Sequence, residues 1–494
     1  MAGDKTRLSG SALSRLQEVV GRDGVLSNTA ELDAYVIDWR RNFSGPTDAV
    51  ILPRSTEQVA QIMRLCTDMN LPMIPQGGNT GQSGACVPLK DQGCNVIINM
   101  SKMNRIRAVD CANQSVTVDA GVVLQTIQEC AKSNGLFFPL SLGAEGTCQI
   151  GGNLATNAGG TAVLRYGNAR DMVLGLEVVL PNGDVWDGLR ALRKDNTGYD
   201  LKALFMGSEG TLGIITGASL KLFAQPVEKA VAWVAMPSLQ HATDLLARFR
   251  VEFESRLSAF EYVSREQLDL VLRYVPGQSD PLPDKSAGYL LVELSDTITT
   301  GTLDALLQQS LVKAMEVGQV NNALVAASHA HALSFWKIRH SVSQANRSHG
   351  VSLNHDVAVP TSLVPAFVKS ATSKINKAFP EAHVVTVAHL GDGNVHFLAI
   401  FPQAFWDALH DSKAYAKQVR QLVYDTSMEF QGTFSAEHGI GQSLTTELVR
   451  YKSSIEVGLM HQLKKAFDPL GIMNPNKVLT GNPPSSHTKG KASN

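Results

Sequence analysis

Neither sign of charge is in excess in this chain. Forty-four Lys and Arg stand against forty-five Asp and Glu, which leaves no electrostatic case for a nucleic-acid or membrane-surface partner. Cysteine is scarce and scattered: residues 66, 86, 94, 111, 130 and 148 all fall in the first third, no two closer than eight positions. That spacing excludes an iron–sulfur or zinc-ribbon pattern and fits reduced thiols in a reducing compartment. Long apolar runs are missing as well, so no membrane span is expected. Met1 to Gly10 has neither an apolar core nor an arginine-rich amphipathic run, so no export or transit signal is expected and the default is a cytoplasmic protein.

Glycine, by contrast, is concentrated where chemistry would need bare backbone. Pro75-Gln76-Gly77-Gly78-Asn79-Thr80-Gly81-Gln82-Ser83-Gly84 holds four glycines in ten residues. Such a stretch takes positive φ freely and can turn successive N–H groups inward as an anion-binding nest. A helix over residues 55–69, capped by Ser55 and Gln58, and a short strand over 71–74 would deliver the loop. No helix pattern follows it and no Lys ends it, so it is neither a dinucleotide fingerprint nor a Walker loop. A surface turn and a phosphate site both remain open on this loop alone. Two further stretches have the same character: residues 139–160, with Gly143, Gly146, Gly151, Gly152, Gly159 and Gly160, and Gly207-Ser208-Glu209-Gly210-Thr211-Leu212-Gly213.

The length of 494 residues suggests roughly three domains. Residues 1–45 read as a helical N-terminal segment. Residues 46–225 alternate short strands and helices and include a hairpin at Asn182-Gly183, an α+β cofactor domain. After Pro226 the glycine loops stop and a second α+β unit runs to 434, read as an antiparallel sheet with helices on one face. Residues 435–480 carry a helix over 453–467 ended by Asp468-Pro469-Leu470-Gly471. The polar stretch 481–494 reads as a disordered tail.

Inside the second unit, His389-Leu390-Gly391-Asp392-Gly393-Asn394-Val395-His396 breaks an apolar strand pattern with a two-residue hairpin signal at Asp392-Gly393. With that turn His389 faces His396, and directly opposed residues project from one face with Cβ atoms roughly 5 Å apart. Two imidazoles so placed form either a stacked core pair or two ligands of one metal ion. Glu437-His438 in a glycine-flanked loop offers a carboxylate for a His₂Glu set. Because Glu437 and His438 are neighbours, both are not expected to reach the same ion, which leaves His438 as a base or as an N–H donor orienting Glu437. Arg339 and Ser343 share a helical face at i and i+4; a guanidinium there suits a carboxylate, and an ordinary surface Arg is the alternative.

Taken in order, these motifs resemble the vanillyl-alcohol-oxidase (PCMH) type of FAD-binding domain, and within it the branch of D-lactate, glycolate and D-2-hydroxyglutarate dehydrogenases. The resemblance runs from about Leu32 to Leu479. It implies a two-subdomain FAD domain, a substrate-capping domain with an antiparallel sheet and helices, and a C-terminal segment that returns to the flavin domain. The cofactor residues it implies are Pro75, Gln76, Gly77, Gly78, Asn79, Thr80, Gly81, Ser83 and Gly84; Pro139, Gly143, Gly146, Thr147, Gly151, Gly152, Thr156, Asn157 and Gly159; Glu209, Gly210 and Ile215; and Asn474. Relatives that tether their flavin have His where this chain has Asn79, so FAD is expected to be noncovalent. The resemblance gives His389, His396 and Glu437 to one divalent ion, zinc before manganese or iron. It gives His438 the role of base, and Arg339, Ser343, Asn394 and His438 to the substrate. Two departures stand out: Asn354 and Leu398 occupy positions where the D-2-hydroxyglutarate branch has Lys and Asn.

The expected activity is oxidation of a D-2-hydroxy acid, of the D-2-hydroxyglutarate, D-lactate or D-malate type, to its 2-oxo acid. The electron acceptor, a quinone or an electron-transfer protein, is not legible, and a homodimer is left open. A metal-free alcohol or sugar oxidase would have no use for His389, His396 and Glu437 together, and a non-catalytic electron-transfer subunit would need neither these nor His438.

Overall fold

The computed structural model describes residues 8–481; the expected tail lies outside them apart from Gly481. Among these residues the strands form four sheets. The first has the order Val25–Leu26, Ala49–Ile51, Val96–Asn99, Met73–Gln76, the last three mutually parallel. Parallel neighbours require a crossover, and helix Thr56–Asp68 provides it, with Val59, Ile62, Met63 and Cys66 wholly buried. Ser55 caps this helix by accepting from Gln58 N at 3.3 Å. The expected capping box does not close, because Gln58 Oε1 accepts from Arg54 N instead, at 2.7 Å. Asn70, at φ +49°, turns the chain out of the helix, and Leu71 N bonds back to Cys66 O at 2.8 Å. The strand therefore starts at Met73, two residues later than its pattern suggests, and opens directly into the first glycine loop.

A five-stranded antiparallel sheet follows: Ile106–Asp110, Ser115–Asp119, Ile214–Lys221, Val173–Val179, Val185–Gly188. It shares one core with the first sheet through Ile98, Val118, Leu176 and Ile214. A two-stranded pair, Phe223–Ala224 with Leu136–Phe137, lies beside it in sequence and completes this half.

The second half is built on seven antiparallel strands in the order Asn322–Val325, Glu228–Met236, Gly288–Asp296, Leu257–Ser264, His383–His389, Asn394–Phe401, Val351–Ala358. Helices cover both faces, not one as expected. Leu245, Phe249, Phe367 and Ile375 pack on one face, and Leu268, Val271, Phe335 and Ile338 on the other. The sequence carries the reason: Ala230 to Met236 is apolar at every position, and a strand without alternation is one buried on both sides.

The C-terminal segment ties the halves together. Thr433 N donates to Ala358 O at 2.8 Å and Ala436 N to Asp356 O at 3.0 Å, extending the edge strand of the seven-stranded sheet. Gln442 N then donates to Ser83 O at 3.0 Å, and Met73 N to Ile472 O at 2.8 Å, in the first half. No helix among the described residues is long and apolar enough to cross a membrane.

Candidate active site between the glycine loops and the seven-stranded sheet

Pro75, Gln76, Gly77, Gly151, Gly152, Thr156, Glu209, Gly210 and Ile215 line one cavity in the first half, so all three glycine stretches converge on it. The glycines permit close approach of backbone to backbone. A Cβ on Gly78 would lie 2.2 Å from Thr147 O, and one on Gly151 2.7 Å from Ala120 Cβ. Among the buried acceptors without a partner are Gln149 Oε1, in the residue nearest Gly77, Asn153 Oδ1 and Asn474 Oδ1. Asn474 Nδ2 donates to Glu209 O at 2.8 Å and Ala85 O at 3.1 Å, both in cavity-lining residues. Bare backbone for a pyrophosphate and unpaired acceptors for ribose or adenine donors are what FAD would use, so the residues present fit it. Overpacking typically costs about 1–3 kcal/mol, so Gly78→Ala should weaken FAD binding roughly 5- to 150-fold. Titrating the apoprotein with FAD checks this, and unchanged affinity would count against the loop assignment.

Other expected cofactor residues are placed differently. Asn79, at φ +53°, bonds Ile37 O at 2.8 Å through Nδ2 and accepts from Cys86 Sγ at 3.2 Å. Ser83 and Gly84 face Gln442, whose Nε2 donates to Gly84 O at 2.8 Å. The Glu209 carboxylate accepts from Ile440 N at 2.7 Å and Gly441 N at 2.8 Å, just past His438. Burial lifts this acid to about 7 against those two donors. Pro139, Gly143, Gly146, Thr147, Asn157 and Gly159 lie outside the cavity lining. Gly159 instead approaches the second cluster, where a Cβ would lie 3.0 Å from Glu437 Oε2.

That second cluster is laid out by strand register. Glu261, His389, Asn394 and Ala358 are opposed in one row across four strands; two residues on, Val263, Val387, His396 and Asp356 form the next row of the same face, and Val385, Leu398 and Asn354 the one after it. The expected hairpin register is corrected here. His389 pairs with Asn394 and His396 with Val387, because residues 390–393 form a four-residue turn, not a two-residue one. A slip of two keeps every side chain on its face, so the imidazoles still meet as diagonal neighbours, 5.3 Å apart and nearly perpendicular.

Glu437 Oε1 lies 3.6 Å from His396 Nε2 and 3.7 Å from His438 Nε2. His438 falls outside the group formed by His389, His396 and Glu437, as the adjacency of Glu437 and His438 led one to expect, yet both side chains turn inward. The cause is Asp356, whose Oδ2 accepts from Glu437 N and His438 N at 2.9 Å each and folds the loop so that both side chains point inward. Donor atoms of His389, His396 and Glu437 lie within 4.8 Å of one another, as do those of Asp356, Glu437 and His438. Two imidazoles and a carboxylate suit a divalent ion of the zinc type, so this site fits a metal.

Charge is distributed unevenly over the cluster. Burial pushes His396 down to about 3 despite Asp356. Burial also opposes the His389 cation, but the charge and hydrogen bond of Glu261 lift that imidazole to about 9. Asp356 is held far below the carboxylate range: burial opposes ionisation, and His438, His396 and the donated hydrogen bonds overcome it. Asn394 gives its amide to Asp356 Oδ1 at 2.8 Å and Val357 O at 3.0 Å. Arg339 is paired with Glu261, and Ser343 is exposed on the next helix, Val342–His349. Glu261 and Asp356 went unrecognised in the sequence; the one signal was for Glu261, an isolated acid within an apolar strand.

The fold, the glycine cavity and this cluster define a flavoprotein oxidoreductase, and the chain belongs to the FAD-linked oxidases. Residues 47–188 match the FAD binding domain and residues 225–478 the C-terminal domain of FAD linked oxidases. It is an FAD-dependent dehydrogenase acting on CH–OH groups. Similar curated proteins include the mitochondrial D-2-hydroxyglutarate dehydrogenase of Arabidopsis thaliana, 36% identical over 96% of this chain and 82% of that one. The D-2-hydroxyglutarate–pyruvate transhydrogenase of Saccharomyces cerevisiae is 33% identical over 96% and 95%. Among solved structures, alkyldihydroxyacetonephosphate synthase superposes with TM-score 0.73 at 18% identity, covering 94% of this chain and 84% of that one. p-Cresol methylhydroxylase with substrate bound gives 0.73 at 17%, covering 95% and 96%. These two share the fold, the vanillyl-alcohol-oxidase architecture that the glycine loops resemble.

Proposed function

We propose that the chain oxidises a D-2-hydroxy acid to the 2-oxo acid with noncovalent FAD and one divalent ion held by His389, His396 and Glu437. The observation that carries this reading is that donor atoms of His389, His396 and Glu437 lie within 4.8 Å of one another, with the Glu437 carboxylate beside Gly159 of a glycine loop. The substrate class is supported by the names of the relatives. When bound, the flavin supplies a hydride acceptor and the ion supplies Lewis acidity at the 2-hydroxyl.

The chain's own residues supply the rest. His438 Nε2 takes the hydroxyl proton as the carbon gives up its hydride, so one proton and one hydride leave and a C=O forms. Asp356 Oδ2, 3.3 Å from His438 Nδ1, keeps that ring oriented. Beyond the metal row, the same-face positions Leu398 and Asn354 bring no cation, so a monocarboxylate such as D-lactate belongs beside D-malate and D-2-hydroxyglutarate as a candidate substrate. An external acceptor, a quinone or an electron-transfer protein, would be needed to take the electrons from the flavin.

Stripping the ion with a chelator should abolish substrate-dependent flavin reduction, and zinc should restore it, with FAD bound throughout. Full activity in metal-free protein would overturn the ion's role.

A further inference from the structure

Glu261 lies wholly inside the second half, with 2% of its side chain exposed, and joins two groups. Its Oε1 is 2.8 Å from His389 Nδ1. Its Oε2 accepts from Arg339 Nε at 2.8 Å and lies 2.7 Å from Arg339 Nη2. A carboxylate hydrogen-bonded at Nδ1 fixes the orientation of an imidazole and leaves Nε2 to face a metal. The guanidinium, only 12% exposed, keeps the acid in place. Two of its three nitrogens are therefore engaged with Glu261.

We propose that Glu261 is a positioning residue of the metal site, aiming His389 at the ion, and that Arg339 acts through Glu261 on ion retention and not on substrate alone. This rests on the reading of His389, His396 and Glu437 as an ion site. The geometry favours it over a purely structural ion pair because the contacts form one line, Arg339 to Glu261 to His389, that ends on a ring whose neighbour is His396. Partners that hold a metal-ligating histidine typically change ion affinity about 10- to 100-fold when removed.

The test is a substrate-free competition for Zn²⁺ between a chromophoric chelator and the FAD-loaded protein. Glu261→Gln keeps the side-chain shape and should weaken Zn²⁺ by roughly 10- to 100-fold with FAD content unchanged. Arg339→Met should weaken it in the same direction, and Arg339→Lys, which retains a cation for Glu261, should recover part of the loss. The double variant Glu261→Gln/Arg339→Met should be no worse than the weaker single, as expected of residues acting along one line. Wild-type Zn²⁺ affinity in Glu261→Gln overturns the proposal while leaving the ion site intact. Should Glu261→Gln fail to fold, Arg339→Met decides, and wild-type affinity there overturns it equally. A wild-type protein that binds no Zn²⁺, or binds it as tightly after His389→Ala, instead overturns the ion site itself and this inference with it.

Discussion

His438→Ala should reduce its flavin roughly 10²- to 10⁴-fold more slowly than wild type while keeping both FAD and the ion, the usual range for loss of a general base. The expectation comes from the ring's two contacts. Nδ1 lies 3.3 Å from Asp356 Oδ2, and Nε2 is the nitrogen on the side of Glu437, 3.7 Å away. Glu437→Ala should behave differently: ion occupancy falls first, and excess zinc restores part of the rate. Anaerobic stopped-flow absorbance with metal content on both variants separates the two roles. Asp356, Glu437 and His438 could themselves enclose an ion, so a His438→Ala protein that has lost its metal would make His438 a ligand and not the base.

Asp356→Ala should be the most disruptive single change at the site. Glu437 N and His438 N at 2.9 Å each, and Asn394 Nδ2 at 2.8 Å, all donate to this one carboxylate. A buried donor left without an acceptor costs about 1–3 kcal/mol, and losing the common acceptor should therefore lower stability by roughly 3 kcal/mol or more. The loop would also lose the geometry that turns both side chains inward, and misplacement of reacting groups by about 1 Å can cost on the order of 10² in rate. Thermal unfolding followed by far-UV circular dichroism, with flavin reduction measured on the same sample, checks both effects. Asp356→Asn, which keeps one acceptor oxygen, should fall between. Wild-type melting and rate in Asp356→Ala would show that the loop is held by other contacts.

The glycine clusters and the histidine pair stand out from local spacing, the roles given to His438 and Arg339 rest on the resemblance, and the side chains that support the cluster were legible from neither. Glycine clusters mark places where backbone must approach backbone, and Gly78 against Thr147 O shows that contact at short range. The histidine pair was found with the wrong register, yet the error was harmless. Asp392-Gly393 signals a tight turn but does not fix its length, and a slip of two residues preserves the face. Glu261 could not be tied to His389 from sequence because the partners lie 128 residues apart on neighbouring strands. Asp356 was hidden for the same reason, since its acceptor role depends on a C-terminal loop that returns along an edge strand. The inward turn of both Glu437 and His438 is likewise a product of that tertiary contact and not of adjacency. The second layer of helices on the seven-stranded sheet was written in the unbroken apolar run at Ala230 to Met236, which a strict search for alternation passes over.

The central claim, FAD-linked oxidation of a D-2-hydroxy acid at this cluster, is tested most directly by anaerobic mixing of the FAD- and zinc-loaded protein with matched D- and L-2-hydroxy acids while following flavin absorbance. The account predicts that at least one D acid among 2-hydroxyglutarate, malate and lactate bleaches the flavin and appears as its 2-oxo acid in equal amount, and that its L enantiomer does not. Bleaching by a simple alcohol or sugar with no response to any 2-hydroxy acid, or equal bleaching by both enantiomers, would contradict it.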